Sequence, residues 1–226
     1  MKEMLILSPG PANISERVRQ ALTAPDIGHR EEEFTSLLRE TRSLLLDVCG
    51  VPEGYSCATL SGSGTTGIEA TITSLSGSNG VLIFSNGVYG ERAAQIAQVF
   101  GIPHTLEKLD WTHLLPLTFS TDLVSTMSKE EDGETPFTPP VQTMYALREA
   151  ARELLEEGVQ NRISHYRGIA KTLRDGLESL EMDLLVPREH LSNTMTTVML
   201  PEGWSYPELH APLKERGYAI YKPRGN

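Results

Sequence analysis

The sequence predicts an α/β protein: a mainly parallel sheet flanked by helices, followed by a small C-terminal α/β lobe. Three observations carry that prediction. Residues 55–101 alternate apolar strand, glycine turn and amphipathic helix, residues 141–180 form one strongly helical run, and residues 182–226 shorten into strand, turn, helix and strand. Strands that alternate with helices argue for parallel pairing, because each return crossing lays a helix over the sheet.

The elements follow in order. The run MLIL at 4–7 stops at Ser8 and Pro9, far short of a signal-peptide core or a membrane span. Asn13 or Ser15 can cap a helix over ERVRQAL, since a side-chain oxygen accepts from the free amides of a first turn. GHREEEFTSLLRETRSLLLDVCG reads as a long amphipathic helix, acidic where the dipole favours anions and closed by Gly50. YSCATL is expected as a short strand that enters the turn SGSG. From Thr65, Ile68, Ile72 and Leu75 fall on one helical face. Val81 to Phe84 is expected as a buried strand, and the helix after it ends at Gly101. Residues 104–140 show no clear period, and a structureless connection of that length counts against a simple reading. Pro140 suits the start of the helical run, which breaks near Gly158.

Composition narrows the function. Thirty acidic against twenty basic residues give a formal charge of -10 across 226 residues, which disfavours nucleic acid as a partner. Cys49 and Cys57 are the only cysteines, too few for a disulfide framework or a cysteine-rich metal site, so no metal is expected and a reducing cytoplasm suits the chain.

Gly62, Gly64 and Gly67 spell G-x-G-x-x-G at the start of a helix. Such a turn offers unpaired amides and the positive end of a helix dipole to an anion. That physics leaves three readings open: a dinucleotide, a smaller phosphorylated cofactor, or a tight turn without ligand. The dinucleotide reading expects an acid about twenty residues later, at the end of the next strand. VLIF instead ends in Ser85-Asn86-Gly87, and Glu91 is the first acid beyond it.

LILSPGPANISERV, GHREEEF, SGSGTTGIEA, SNGVYGERA and TPFTPPVQTMYALREAARELLEEG, in this order, resemble the class V, fold-type-I aminotransferases that use pyridoxal 5'-phosphate. NGVYGER and the HREEEF context favour transfer from 2-aminoethylphosphonate to pyruvate over alanine:glyoxylate transfer. The resemblance implies that Ser63, Gly64 and Thr65 bind the cofactor phosphate, that Tyr89 stacks on its pyridine ring, and that Thr138 reaches the phosphate of the other subunit in a homodimer. Gly10 would line the substrate pocket beside a small amino donor and a 2-oxo acid. Arg30 is the cation available to a phosphonate, with a surface salt bridge to neighbouring glutamates as its other reading. Tyr89 equally suits a loop tyrosine packed on its own sheet, and TPFTPP a rigid loop before a helix.

The family's chemistry also needs a lysine bonded to the cofactor and an acid beside the pyridine nitrogen. The resemblance places both in a central segment without counterpart here, and Lys2, Lys108, Lys129, Lys171, Lys214 and Lys222 read as solvated surface charges. The catalytic lysine is therefore unassigned. A substrate-clamping arginine is likewise unmatched, because Arg224 is not in its motif. The expected domains are a large cofactor-binding part over 1–140, incomplete near 107–122, and linking helices with a truncated C-terminal α/β part over 141–226. Loss of central strands should leave apolar sheet faces open. Either the sequence closes up stretches of a longer polypeptide, or the chain is a shortened, inactive homologue that binds only a phosphate ligand.

Overall fold

The computed structural model describes residues 4–7, 10–85, 87–109 and 139–222. They fall into two compact units, one formed by residues of 16–156 and the other by residues of 1–15 with 157–224.

In the 16–156 unit, α1 (Glu16–Ala21) and α2 (Glu32–Cys49) come first, and α2 closes at Gly50 as the sequence expects. Its apolar spacing buries Phe34, Leu37 and Leu38, which pack with Met144 and with half-buried Ile27, Val141 and Tyr145. Met144, Val141 and Tyr145 belong to α5 (Val141–Glu157), which the sequence reading groups with the C-terminal part. Charge reinforces that packing: Glu40 of α2 binds Arg148 and Arg152 of α5, and Arg17 of α1 binds Glu149 and Glu156.

The same unit holds a β-α-β element that positions the candidate site. β2 (Val81–Ser85) pairs in parallel with β3 (His104–Lys108), in the register Val81↔His104 to Ser85↔Lys108. α4 (Val88–Val99) joins them, and α3 (Gly64–Leu75) precedes them. Ile83, Ala94 and Ala97 form the buried centre, with Ile72, Val81, Ile102 and Leu106 around it. Among the described residues only one face of β2 is covered. Leu82 and Phe84 on the other face are 57% and 43% exposed, so the strand expected as buried is buried on alternate residues. Residues 55–60 form no strand, since a strand needs a ladder partner and none pairs with them among the described residues. β3, conversely, arises in a stretch whose sequence shows no period; its side chains are mostly exposed, so no buried face imprints an alternation.

The other unit pairs β1 (Leu5–Ile6) in parallel with β4 (Tyr218–Ala219). Asn13, expected as a helix cap, instead spans this strand: Ile6 N donates to its Oδ1 at 2.7 Å, and its Nδ2 donates to Met4 O at 2.9 Å. Ser15 is left immediately ahead of α1. α6 (Val159–Ser179) begins after Gly158, where the sequence places the break. Its Arg174, 6% exposed, holds the following loop by donating to Thr196 Oγ1 at 3.1 Å and to the carbonyls of Ser192 and Met195. Where the sequence expects residues 182–226 to open on a strand, a single antiparallel bridge joins Leu184 to Val198. α7 (Tyr206–Glu215) opens on a capping box, in which Ser205 N and Oγ both donate to Glu208 Oε2, at 2.7 and 2.6 Å. Among the described residues no helix is long and apolar enough to cross a membrane.

Candidate functional site

Ser63 stands at the N-cap of α3 with extended backbone (φ −90°, ψ 173°), and its hydroxyl makes no cap bond to the helix. Its carbonyl accepts from Thr66 N at 2.9 Å and Gly67 N at 3.4 Å, so the helix starts tightly. The amides of Gly64 and Thr65 lie in the first turn, where helical geometry supplies no acceptor. Two hydroxyls and two amides therefore gather at the positive end of a twelve-residue helix.

The three glycines differ in what they do. A Cβ on Gly62 would sit 2.3 Å from Thr66 Oγ1 and 2.7 Å from Thr66 Cβ, so this glycine lets the turn fold against the helix. A Cβ on Gly64 or Gly67 meets nothing within 4 Å. The third glycine of a dinucleotide fingerprint serves close helix-to-strand packing. Gly67 has no such role here, which weighs against the dinucleotide reading. Glu91, the first acid after β2, is engaged by Lys108 Nζ at 3.3 Å.

A second helix start meets the first. α4 begins just beyond Ser85, and Gly90 makes that approach feasible, because a Cβ there would lie 2.6 Å from Ser85 Cα. Arg92, one turn further along α4, donates from Nη1 to Thr65 Oγ1 at 3.3 Å. The sequence reading quotes NGVYGER but takes only Tyr89 from it. Tyr89 is 77% exposed and three residues before Arg92, so the two side chains leave neighbouring points of one helical face. The signal for Arg92 was that spacing; its partner was visible only in three dimensions.

The remaining residues divide plainly. Thr138 lies outside the described residues, as do Lys2, Lys129 and Arg224. Gly10 belongs to the other unit and is exposed. Arg30 is exposed, and the salt bridge available to its neighbourhood goes elsewhere: Glu32 takes Arg39 at 3.4 Å. Lys108 and Lys171 are exposed and paired with Glu91 and Asp175, and Lys214 and Lys222 are exposed. Among the described residues no group of histidine, cysteine and acidic side chains could hold a metal ion.

No family model matches the chain. Its structure is similar to alanine–glyoxylate aminotransferase of Nostoc, with a TM-score of 0.85 and 20% identity over 100% of this chain and 88% of that one. It is equally similar to ureidoglycine–glyoxylate aminotransferase of Bacillus subtilis, with a TM-score of 0.85 and 18% identity over 100% of this chain and 85% of that one. These likenesses assign the fold, which is that of the fold-type-I aminotransferases. In sequence the chain is similar to the 2-aminoethylphosphonate–pyruvate transaminase of Vibrio vulnificus, 38% identical over 102 residues, which is 45% of this chain and 28% of that protein. The transaminase of the same name from Pseudomonas putida is 37% identical over 102 residues, 45% of this chain and 27% of that protein. The matched stretch thus spans a little over a quarter of these relatives' length.

Proposed function

We propose that the protein is a pyridoxal 5'-phosphate-dependent aminotransferase of class V, acting as a homodimer to move an amino group from 2-aminoethylphosphonate to pyruvate. The observation that carries this reading is the 102-residue similarity to transaminases of that name, together with the donors gathered at the start of α3. The donor set fits a phosphate monoester: the hydroxyls of Ser63 and Thr65, the first-turn amides and the Arg92 guanidinium, with no carboxylate among them. Ser63, Gly64 and Thr65 would hold the phosphate, and Tyr89, exposed on α4 three residues before Arg92, would offer its face to the ring. Once bound, the cofactor's ring supplies the electron sink that lets an amino group leave one carbon skeleton for another. The chain's part is to bind and orient it. Arg30 is the exposed cation proposed for the phosphonate, and Gly10 part of the substrate pocket.

The test uses the full chain in equilibrium dialysis against pyridoxal 5'-phosphate. Thr65→Ala should cost a hydrogen bond to a charged group, about 1.5 to 3 kcal/mol, and weaken binding by roughly tenfold to a hundredfold. Pyruvate should be converted to alanine when 2-aminoethylphosphonate is the donor. Faster turnover of alanine with glyoxylate would reject the phosphonate and keep the class, and binding without turnover would identify a phosphate-cofactor module. Heat protection by a nicotinamide dinucleotide alone would reject the cofactor.

A further inference from the structure

We propose that Arg92 is a positioning residue of this cradle: by donating to Thr65 Oγ1 it turns the Thr65 hydroxyl proton, and brings its own positive charge, toward a bound phosphate monoester. The inference rests on the proposed cofactor reading and goes beyond it to a residue outside the turn. A threonine hydroxyl has one proton and two lone pairs, whereas a guanidinium only donates. The 3.3 Å bond from Arg92 Nη1 therefore fills a lone pair of Thr65 and leaves its proton to be given elsewhere. Within α3 the usual destination is the carbonyl four residues back, as Thr71 donates to Gly67 O at 2.8 Å and Thr73 to Glu69 O at 2.7 Å. Thr65 is the second residue of α3, and no such bond from it exists among the described residues. Among the described residues its proton has no acceptor, which leaves it for a ligand at the helix start.

Charge points the same way. Arg17, Arg39, Arg148, Arg152, Arg162 and Arg188 each bind a carboxylate. Arg92 makes no such ion pair among the described residues, although the chain carries a formal charge of -10. The neighbouring Glu91 is drawn to Lys108 instead. An uncompensated guanidinium on a hydroxyl that has a proton to give is suited to a dianion, more than to a neutral or singly charged group.

The experiment is a double-mutant cycle on the full chain, read as the dissociation constant for pyridoxal 5'-phosphate in equilibrium dialysis. Arg92→Ala and Thr65→Ala should each raise it by about tenfold or more, and the double variant by much less than the product, since Arg92 acts largely through Thr65. Arg92→Lys, which keeps the charge, should recover part of the loss. Melting of the cofactor-free protein should not change with Arg92→Ala, because the side chain is exposed. An unchanged constant in Arg92→Ala, or losses that multiply fully in the double variant, would overturn the positioning role and leave the cofactor reading intact. If the wild-type chain binds no pyridoxal 5'-phosphate, the cofactor reading fails and this inference with it.

Discussion

The same substitution, glycine to alanine, should act with opposite sign at two helix starts that differ only in what surrounds them. Gly67 is inside α3, and a Cβ there meets nothing within 4 Å. Gly67→Ala therefore removes backbone freedom from the unfolded chain without a steric cost and should stabilise by about 0.5 to 1 kcal/mol. Gly90 is inside the first turn of α4, where a Cβ would lie 2.5 Å from Ser85 Oγ and 2.6 Å from Ser85 Cα. A backbone atom cannot rotate away, so helix and strand end must part. Overpacking of this kind costs about 1 to 3 kcal/mol, and better helix propensity offsets less than about 1, which leaves a net loss of roughly 1 to 2 kcal/mol. Melting followed by circular dichroism should show a rise of a few degrees for Gly67→Ala and a fall of a few degrees for Gly90→Ala, at about 2 to 4 °C per kcal/mol for a chain of this size. Shifts of the same sign would refute the close approach of α4 to β2 that brings Arg92 to Thr65.

Two further outcomes test the packing that supports the site. Phe34, fully buried between α2 and α5, should cost about 3 to 5 kcal/mol when changed to alanine, read as a lower urea midpoint at constant slope. In the capping box of α7, the Ser205 hydroxyl and then its backbone N–H hold the Glu208 carboxyl below the usual glutamate range. A depressed carboxylate stabilises the fold above its unfolded pKa, and that stability is lost as pH falls below about 4.5 and through the folded value. Melting of Glu208→Gln, measured from neutral to acid pH, should therefore decline less on the acid side than that of the wild type; parallel curves would refute the link.

Local chemistry made much of this legible from residues alone. Apolar spacing in 32–49 announced α2, because its buried side chains repeat with the helical period, and Gly50 and Gly158 marked ends that need a left-handed or open backbone. The glycine turn announced the start of α3 and its unpaired first-turn amides, since these follow from any helix start. β3 was hidden because HTLEK is mostly exposed and shows no alternation, and the expected strand at 55–60 failed because pairing depends on a neighbour far along the chain. The cradle residues Ser63 to Thr65 were readable as a motif; Arg92 was not, since its partner lies 27 residues away and only the packing of two helix starts brings them within 3.3 Å. Residues alone settled an α/β alternation and a helix start whose first-turn amides are free, because periodicity and turn chemistry are local; the choice among possible ligands came only from the resemblance in motif order. Tertiary structure alone decided which glycines are sterically required, which face of β2 is covered and which arginine reaches the cradle, because each depends on distances between segments that no local pattern encodes.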